Sequence, residues 1–292
     1  DWTALVQRRQ MAVFLPGDVS AQEIRDGRHE EIAQALGPVN DLYHLTDSIF
    51  NDDNFHTVLT GFDMVILRAF YDSHLHSGMT PQAVAARLPA ILARINPAGR
   101  AGGLAPASVT PRQWSNAIEA ALGARRSPSR RLSAAKRAVS LARSQGWNDN
   151  RLGFSLYAQG RLALAYDTAL AVTSFAQAEA VFRADPATRL HGAHVAVQAA
   201  AYALSDGRAS KTIDIVNRNS PTALAAENAS LLSTLLMIKA QALDTLGRHS
   251  EAKIVRRDSL GWARYGIGSD AAIRARLQEI AALSPRTQLA AP

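Results

Sequence analysis

The sequence predicts a mainly helical chain, with a small α/β part first and a longer array of stacked helix pairs after it. Three observations carry this prediction. Alanine is abundant while aromatic residues make up only 6% of the chain, and alanine both favours helix and lets helices pack closely. Helix start and stop signals recur from Ser20 onward. Residues 97–109 gather three glycines and two prolines, which marks a boundary between two domains of ordinary size in a 292-residue chain. The expected division is 1–96, a linker at 97–109, and 110–286.

The elements follow in order. Met11 to Leu15 is a short apolar run closed by Pro16-Gly17, which reads as an edge strand and a turn. Ser20 with Glu23 three residues on is a capping box, opening a helix to about Leu36 that Gly37-Pro38 stops. Asn40 to Asn54 reads as an irregular loop. Thr60 with Asp63 caps a helix whose apolar stripe is Phe62, Val65, Ile66, Ala69 and Phe70. Thr80-Pro81 opens another, which Pro89 should kink or divide. After the linker, Thr110-Pro111 opens a helix to about Gly123, a basic break covers 124–131, and the remainder reads as helical nearly throughout.

That remainder carries a loose repeat. The prolines of Asp185-Pro186 and Ser220-Pro221 stand 35 residues apart, and Gly207-Arg208 and Gly247-Arg248 each follow a long helix and open a second. The stretch Ala242 to Lys253 places small residues at close helix approaches, a turn at Gly247, and Glu251-Ala252 at the start of the partner helix. It resembles a tetratricopeptide repeat, and Ala176 to Pro186 resembles the second helix of another. The resemblance covers roughly 130–283 and implies a tetratricopeptide-like α-solenoid; an ordinary helical bundle is the alternative.

Composition excludes several chemistries. With no cysteine there is no disulfide, thiolate nucleophile or cysteine-held metal. No run of 18 apolar residues exists to span a membrane, no Gly-x-Ser-x-Gly elbow occurs, and no glycine-rich phosphate loop follows a strand. The net charge of +7 is unevenly spread: residues 1–100 carry −4, and 112–143 alone carry +7 from eight bases and one acid.

One constellation looks like chemistry. From Glu30 the order runs Glu30, Glu31, Gln34, Gly37, Asn40, Asp41, then Ser48-Ile49-Phe50. This resembles the metzincin metalloproteases, whose zinc helix reads His-Glu-x-x-His-x-x-Gly-x-x-His and is followed by a methionine turn. The resemblance places the general base at Glu31 and the turn glycine at Gly37. The three zinc-ligand positions fall on Glu30, Gln34 and Asn40, none of them a histidine. Zinc prefers imidazole or thiolate, so the expectation is a vestigial site without metal or cofactor. A closer resemblance is to the bacterial domain of unknown function numbered 2927, over about residues 11–95. It rests on Glu30 to Gly37, Asn40-Asp41, Ser48 to Asp52, and Tyr71-Asp72 with Gly78-Met79-Thr80. Together these imply a partial metzincin-like α/β domain.

Weaker signals are His74-x-His76, more often exposed loop than metal site, and Asn51 to Asn54, which lacks the spacing of an EF-hand. The basic run with Arg125, Arg126, Arg130 and Arg131 reads as a solvated linker or as a face for an acidic partner or anionic lipid within 112–143. No aromatics interleave with it, so nucleic acid is not expected.

The functional expectation is a non-catalytic interaction or scaffold protein. A protein partner would lie in the helical-repeat groove, touched by Gln159, Gln198, Asn228 and Lys239 on the first helix of each pair. The alternative is a metal-dependent hydrolase with an atypical or externally completed site. The start at Asp1, read as processing, and the basic face point to an extracytoplasmic or membrane-adjacent bacterial setting.

Overall fold

Local capping signals become helix starts. The structure, a computed structural model, describes residues 7, 9–38, 42–51, 55–101 and 109–284. Among the described residues there are twelve α-helices and no strand. Contacts divide the chain into two units, 1–17 with 24–108, and 18–23 with 109–292.

Helix α1 (Ala21–Ala35) starts within residues 18–23 of the second unit and runs on into the first, and it opens as its sequence demands: Glu23 N–H donates to Ser20 Oγ and Ser20 N–H to Glu23 Oε2. The same reciprocal box, Thr60 with Asp63, starts α2 (Gly61–Phe70), and Thr80 caps α3 (Pro81–Ile95) with Pro81 in the first turn. Pro89 lies inside α3 and does not divide it. Among the described residues of the first unit, Ala33, Ile49 and Phe50 form a core cluster packed against Leu45, Leu59, Ile66 and Leu67.

Met11 to Leu15 is not a strand. It is irregular chain, and Phe14 is 88% exposed. A strand needs a partner for its backbone groups, and no described residue supplies one. The α/β expectation for the first part is therefore replaced, among the described residues, by helices and turns. Pro97–Ala101 forms a short 3₁₀ turn, and the rest of the expected linker to residue 108 lies outside the described residues.

The second unit holds α4 (Arg112–Leu122), α5 (Pro128–Ser144), α6 (Asn150–Ala163), α7 (Thr168–Ala184), α8 (Arg189–Ser205), α9 (Ala209–Ala225), α10 (Ala229–Thr245), α11 (His249–Gly266) and α12 (Asp270–Ala281). Helices pack chiefly on their sequence neighbours, and the strongest pairs are α4 with α5, α6 with α7, α8 with α9, and α10 with α11. Small residues make these contacts possible. Ala178, Ala200, Ala240 and Ala252 are fully buried. Gly153 and Gly160, two turns apart on α6, receive the rings of Phe182 and Phe175 from α7. A buried arginine organises the start of α6: Arg151 donates to Asp149 Oδ2 at 2.6 Å and to Thr110 Oγ1 at 3.1 Å, and stacks 3.6 Å over Trp147. Thr110 is thus committed to Arg151, and Pro111, without a side-chain cap, precedes α4.

The expected repeat markers fare unequally. Gly207 and Gly247 do end helices in the left-handed conformation, at φ +73° and +74°. Pro221, by contrast, sits inside α9 and starts nothing. The helix pairs recur at a longer interval than the prolines suggest, since α6, α8 and α10 begin at 150, 189 and 229.

Candidate functional site

The residues that looked catalytic divide between helix α1 and a buried turn. Glu30, Glu31 and Gln34 share α1, with Glu31 exposed and the other two half-buried; Asn40 and Asp41 lie outside the described residues. Among the described residues no group of three or more His, Asp or Glu is placed to hold a metal. Ser48-Ile49-Phe50 is a core anchor. Ser48 and Asp63 are both fully buried; Ser48 Oγ donates to Asp63 Oδ1 at 2.6 Å, and the Ile49 N–H points at the same carboxylate. The Thr60 N–H donates to Asp63 Oδ2 at 2.7 Å, and the Phe50 N–H to Ser48 Oγ. The carboxylate oxygens are satisfied by donors from Ser48, Ile49 and Thr60, and Ile49 and Phe50 are buried in the core.

Gly37 has φ +151°, and a Cβ there would stand 2.1 Å from the Phe70 ring. Its need for glycine is packing against α2. Tyr71 hydroxyl donates to Leu36 carbonyl at 2.6 Å beside it. His74 meets Asp72 Oδ1 at 2.8 Å, and Arg94 pairs with the other oxygen. The His74 backbone N–H, then its side chain, then Arg94 hold the Asp72 carboxyl at about 2, below its ordinary 3.8. His76 instead faces the Ser77 carbonyl, so the two histidines do not converge.

The second unit offers an open polar cavity of about 480 Å³. Alternate helices build it. Tyr157 and Arg161 come from α6, His194 and Gln198 from α8, Ser230 and Thr234 from α10; each pair is four residues apart and so shares a helix face. Arg276 of α12 and Ile267 line it as well. One wall is Gln22, whose amide donates to Asn228 Oδ1 at 3.1 Å and accepts from the Ser230 N–H at 2.8 Å. Tyr157 and Arg161 also line a second cavity of about 490 Å³ that continues past Phe154 to Leu122 and Arg131.

The four groove candidates separate. Gln198 lines the cavity, half-buried. Asn228 lines it too, but its Oδ1 is committed to capping α10 through the Leu231 N–H and to Gln22. Gln159 is buried and donates to Ser174 Oγ at 2.8 Å, and Lys239 donates to Asn217 Oδ1 at 2.7 Å; neither lines the cavity. Sequence reasoning missed Tyr157, Arg161, His194, Thr234 and Arg276. The signal available was the polar i, i+4 pair recurring on every second helix.

The arginine run also separates. Arg131 Nε donates to the Ala121 carbonyl at 2.8 Å, a cation closing the C-terminus of α4. Arg125, Arg126 and Arg130 are exposed. Arg126 and Arg137 line a cavity of about 440 Å³ between α4 and α5.

The geometry defines a mainly helical protein with polar cavities on paired helices. Residues 3–90 match the model of a family described as "Protein of unknown function (DUF2927)", and that part of the chain is similar to this family. The match ends before α4, the first helix of the second unit's paired array. Neither the curated proteins nor the solved structures gave a match.

Proposed function

We propose that this chain is a non-catalytic interaction protein, in which a tetratricopeptide-like solenoid formed by the second unit binds an extended segment of a protein partner. The observation that carries the reading is the polar cavity lined by alternate helices α6, α8 and α10. Helix pairs that bury one face against their neighbours leave the first helices of successive pairs side by side, and an extended chain can lie across them. The lining supplies hydrogen-bond donors and acceptors at regular spacing, with aromatic area from Tyr157.

The first unit is proposed to be a vestigial metzincin-like domain without activity of its own. Supporting this are Glu30, Gln34 and Asn40 at the positions where the resemblance puts histidines. An amide or lone carboxylate holds zinc weakly, and Glu31 then has no metal-bound water to assist.

The test uses the full chain. A library of displayed extended peptides is selected against it, and the selected peptides are measured against Arg161→Ala/Gln198→Ala. Loss of about tenfold or more in affinity is expected from removing one charged and one neutral hydrogen-bonding group. Selected peptides that bind the double variant as well as the parent chain would refute the groove. A peptidase activity abolished by Glu31→Gln would refute the non-catalytic reading.

A further inference from the structure

Helix α5 carries five basic residues, Arg130, Arg131, Lys136, Arg137 and Arg143, and no acidic one. Two of these are used within the fold: Arg131 on the end of α4, and Arg143 on Gln177 Oε1 at 2.7 Å. Arg130, Lys136 and Arg137 are exposed, as are Arg125 and Arg126 in the turn before the helix. Several arginines elsewhere in the second unit sit beside acids, as Arg183 does with Glu179, Arg208 with Asp206, and Arg248 with Glu251. Among the described residues, Arg125, Arg126, Arg130, Lys136 and Arg137 of the α4–α5 surface form no such ion pair. Because α5 is a helix of 17 residues, its charges are held in a fixed pattern, as those of a linker would not be.

The pattern closes round a cavity of about 440 Å³. Its rim is Arg126, Arg137, Gln113, Asn116 and Ser133, all exposed. Its floor is three alanines, Ala117, Ala120 and Ala134. The one acid of this region, Glu119 on α4, does not line it. Ser133 Oγ donates within α5 to the Ser129 carbonyl at 3.0 Å; the other four polar lining groups can donate a hydrogen bond to a ligand, and none is a carboxylate. Two guanidinium forks with two amides offer more donors than a carboxylate can accept, whereas a tetrahedral oxyanion has oxygens facing several directions. The volume leaves room for the group that carries the anion.

We propose that this cavity is a binding site for a phosphate group, either free or borne by the headgroup of an anionic phospholipid. The inference does not depend on the groove assigned above, since the two cavities share no residue. Arg126 and Arg137 grip the oxyanion; Gln113 and Asn116 orient it.

The experiment measures inorganic phosphate binding to the full chain by calorimetry, with chloride at equal ionic strength as reference. Three proteins are compared: the parent chain, Arg126→Ala/Arg137→Ala, and Arg125→Ala/Arg130→Ala. Both double variants remove two charges, but only the first strips the cavity. Saturable phosphate binding by the parent is expected, with a loss of about tenfold or more in the first variant and about twofold or less in the second. Equal losses in both variants, or phosphate heats no different from chloride, overturn the proposal. The variants alter exposed side chains, and circular dichroism verifies that they remain folded. A second arm co-sediments the three proteins with phosphatidylglycerol vesicles, against phosphatidylcholine. Capture of the parent with loss in the cavity variant alone identifies the lipid as the source, and phosphate binding without vesicle capture identifies the free anion. Vesicle capture lost equally in both variants, without phosphate binding, reduces the surface to a general basic field and overturns the site.

Discussion

Replacing Gly153 by alanine should destabilise the second unit, although alanine is the better helix former. A Cβ at Gly153 would stand 2.5 Å from Phe182 Cε1 and 2.7 Å from Cζ. Carbon atoms pack at about 3.5–4.0 Å, so the ring would have to retreat by about 1 Å. It has nowhere to go: Phe182 is 1% exposed and its ring lies 5.1 Å from that of His191. Overpacking of this kind costs about 1–3 kcal/mol, against a gain of about 1 kcal/mol in helix propensity. Gly261 on α11 supplies the reference. It too is helical, but nothing lies within 4 Å of its ideal Cβ. Gly261→Ala should therefore stabilise by about 0.5–1 kcal/mol. Subtracting one variant from the other cancels the propensity and leaves the packing term, about 1–3 kcal/mol. Urea unfolding followed by tryptophan fluorescence reads it, because Trp114 and Trp147 are both buried in this unit. Midpoints that move the same way by the same amount in the two variants would refute the packing argument. A third variant, Gly153→Ala with Phe182→Leu, should recover part of the loss through the space the ring vacates.

Two further substitutions probe the first unit. Asp63→Asn keeps the shape of the buried side chain but sets an amide donor against the Ser48 hydroxyl and the Ile49 and Thr60 N–H groups, at a cost of about 2–3 kcal/mol, read by thermal or urea unfolding; an unfolding midpoint equal to the parent's would dismiss the anchor. Asp72 titrates at about 2 when folded against its ordinary 3.8, so its contribution is present above pH about 4 and is lost as pH falls through about 2. The stability gap between the parent chain and Asp72→Asn should be constant from pH about 7 to 4 and shrink below that; a gap that stays level down to pH about 2 would contradict the assignment.

Helix starts were legible because the groups that make them are neighbours in the chain. Ser20 with Glu23, Thr60 with Asp63, and Thr80 before Pro81 each satisfy backbone donors within three residues, so no tertiary information is needed. The strand at Met11 to Leu15 failed for the opposite reason: its stability would depend on a partner strand that the short apolar run cannot itself specify. The repeat was blurred by how its turns are made. Gly146, Gly207 and Gly247 end helices at positive φ, but at the equivalent turn after α9 the left-handed residue is Glu227, at φ +53°. The following N–H returns to a carbonyl five residues back in each of the four, from Trp147 to Ala142 as from Asn228 to Ala223. A reader counting glycines loses that turn, and a reader counting prolines gains a false one at Pro221.

The same distinction governs the sites. Residue type shows what a side chain could do, and its partners decide what it is left to do. Glu31, Gly37, Ser48 and Asp63 suggest a protease when read in order. In the fold, Ser48 and Asp63 satisfy each other, and Gly37 is shaped by Phe70. Gln159 and Lys239 are bound to Ser174 and Asn217, and Arg131 is bound to the end of α4. The groups proposed to meet ligands are Arg161 and Gln198 in one cavity and Arg126 and Arg137 in another. None belongs to the metalloprotease-like pattern. On the proposed reading, a spacing that resembles an active site is held at Gly37 and Ser48 by packing, and the surface offered to partners lies in helices whose alanine-rich sequence advertises only that they are helices.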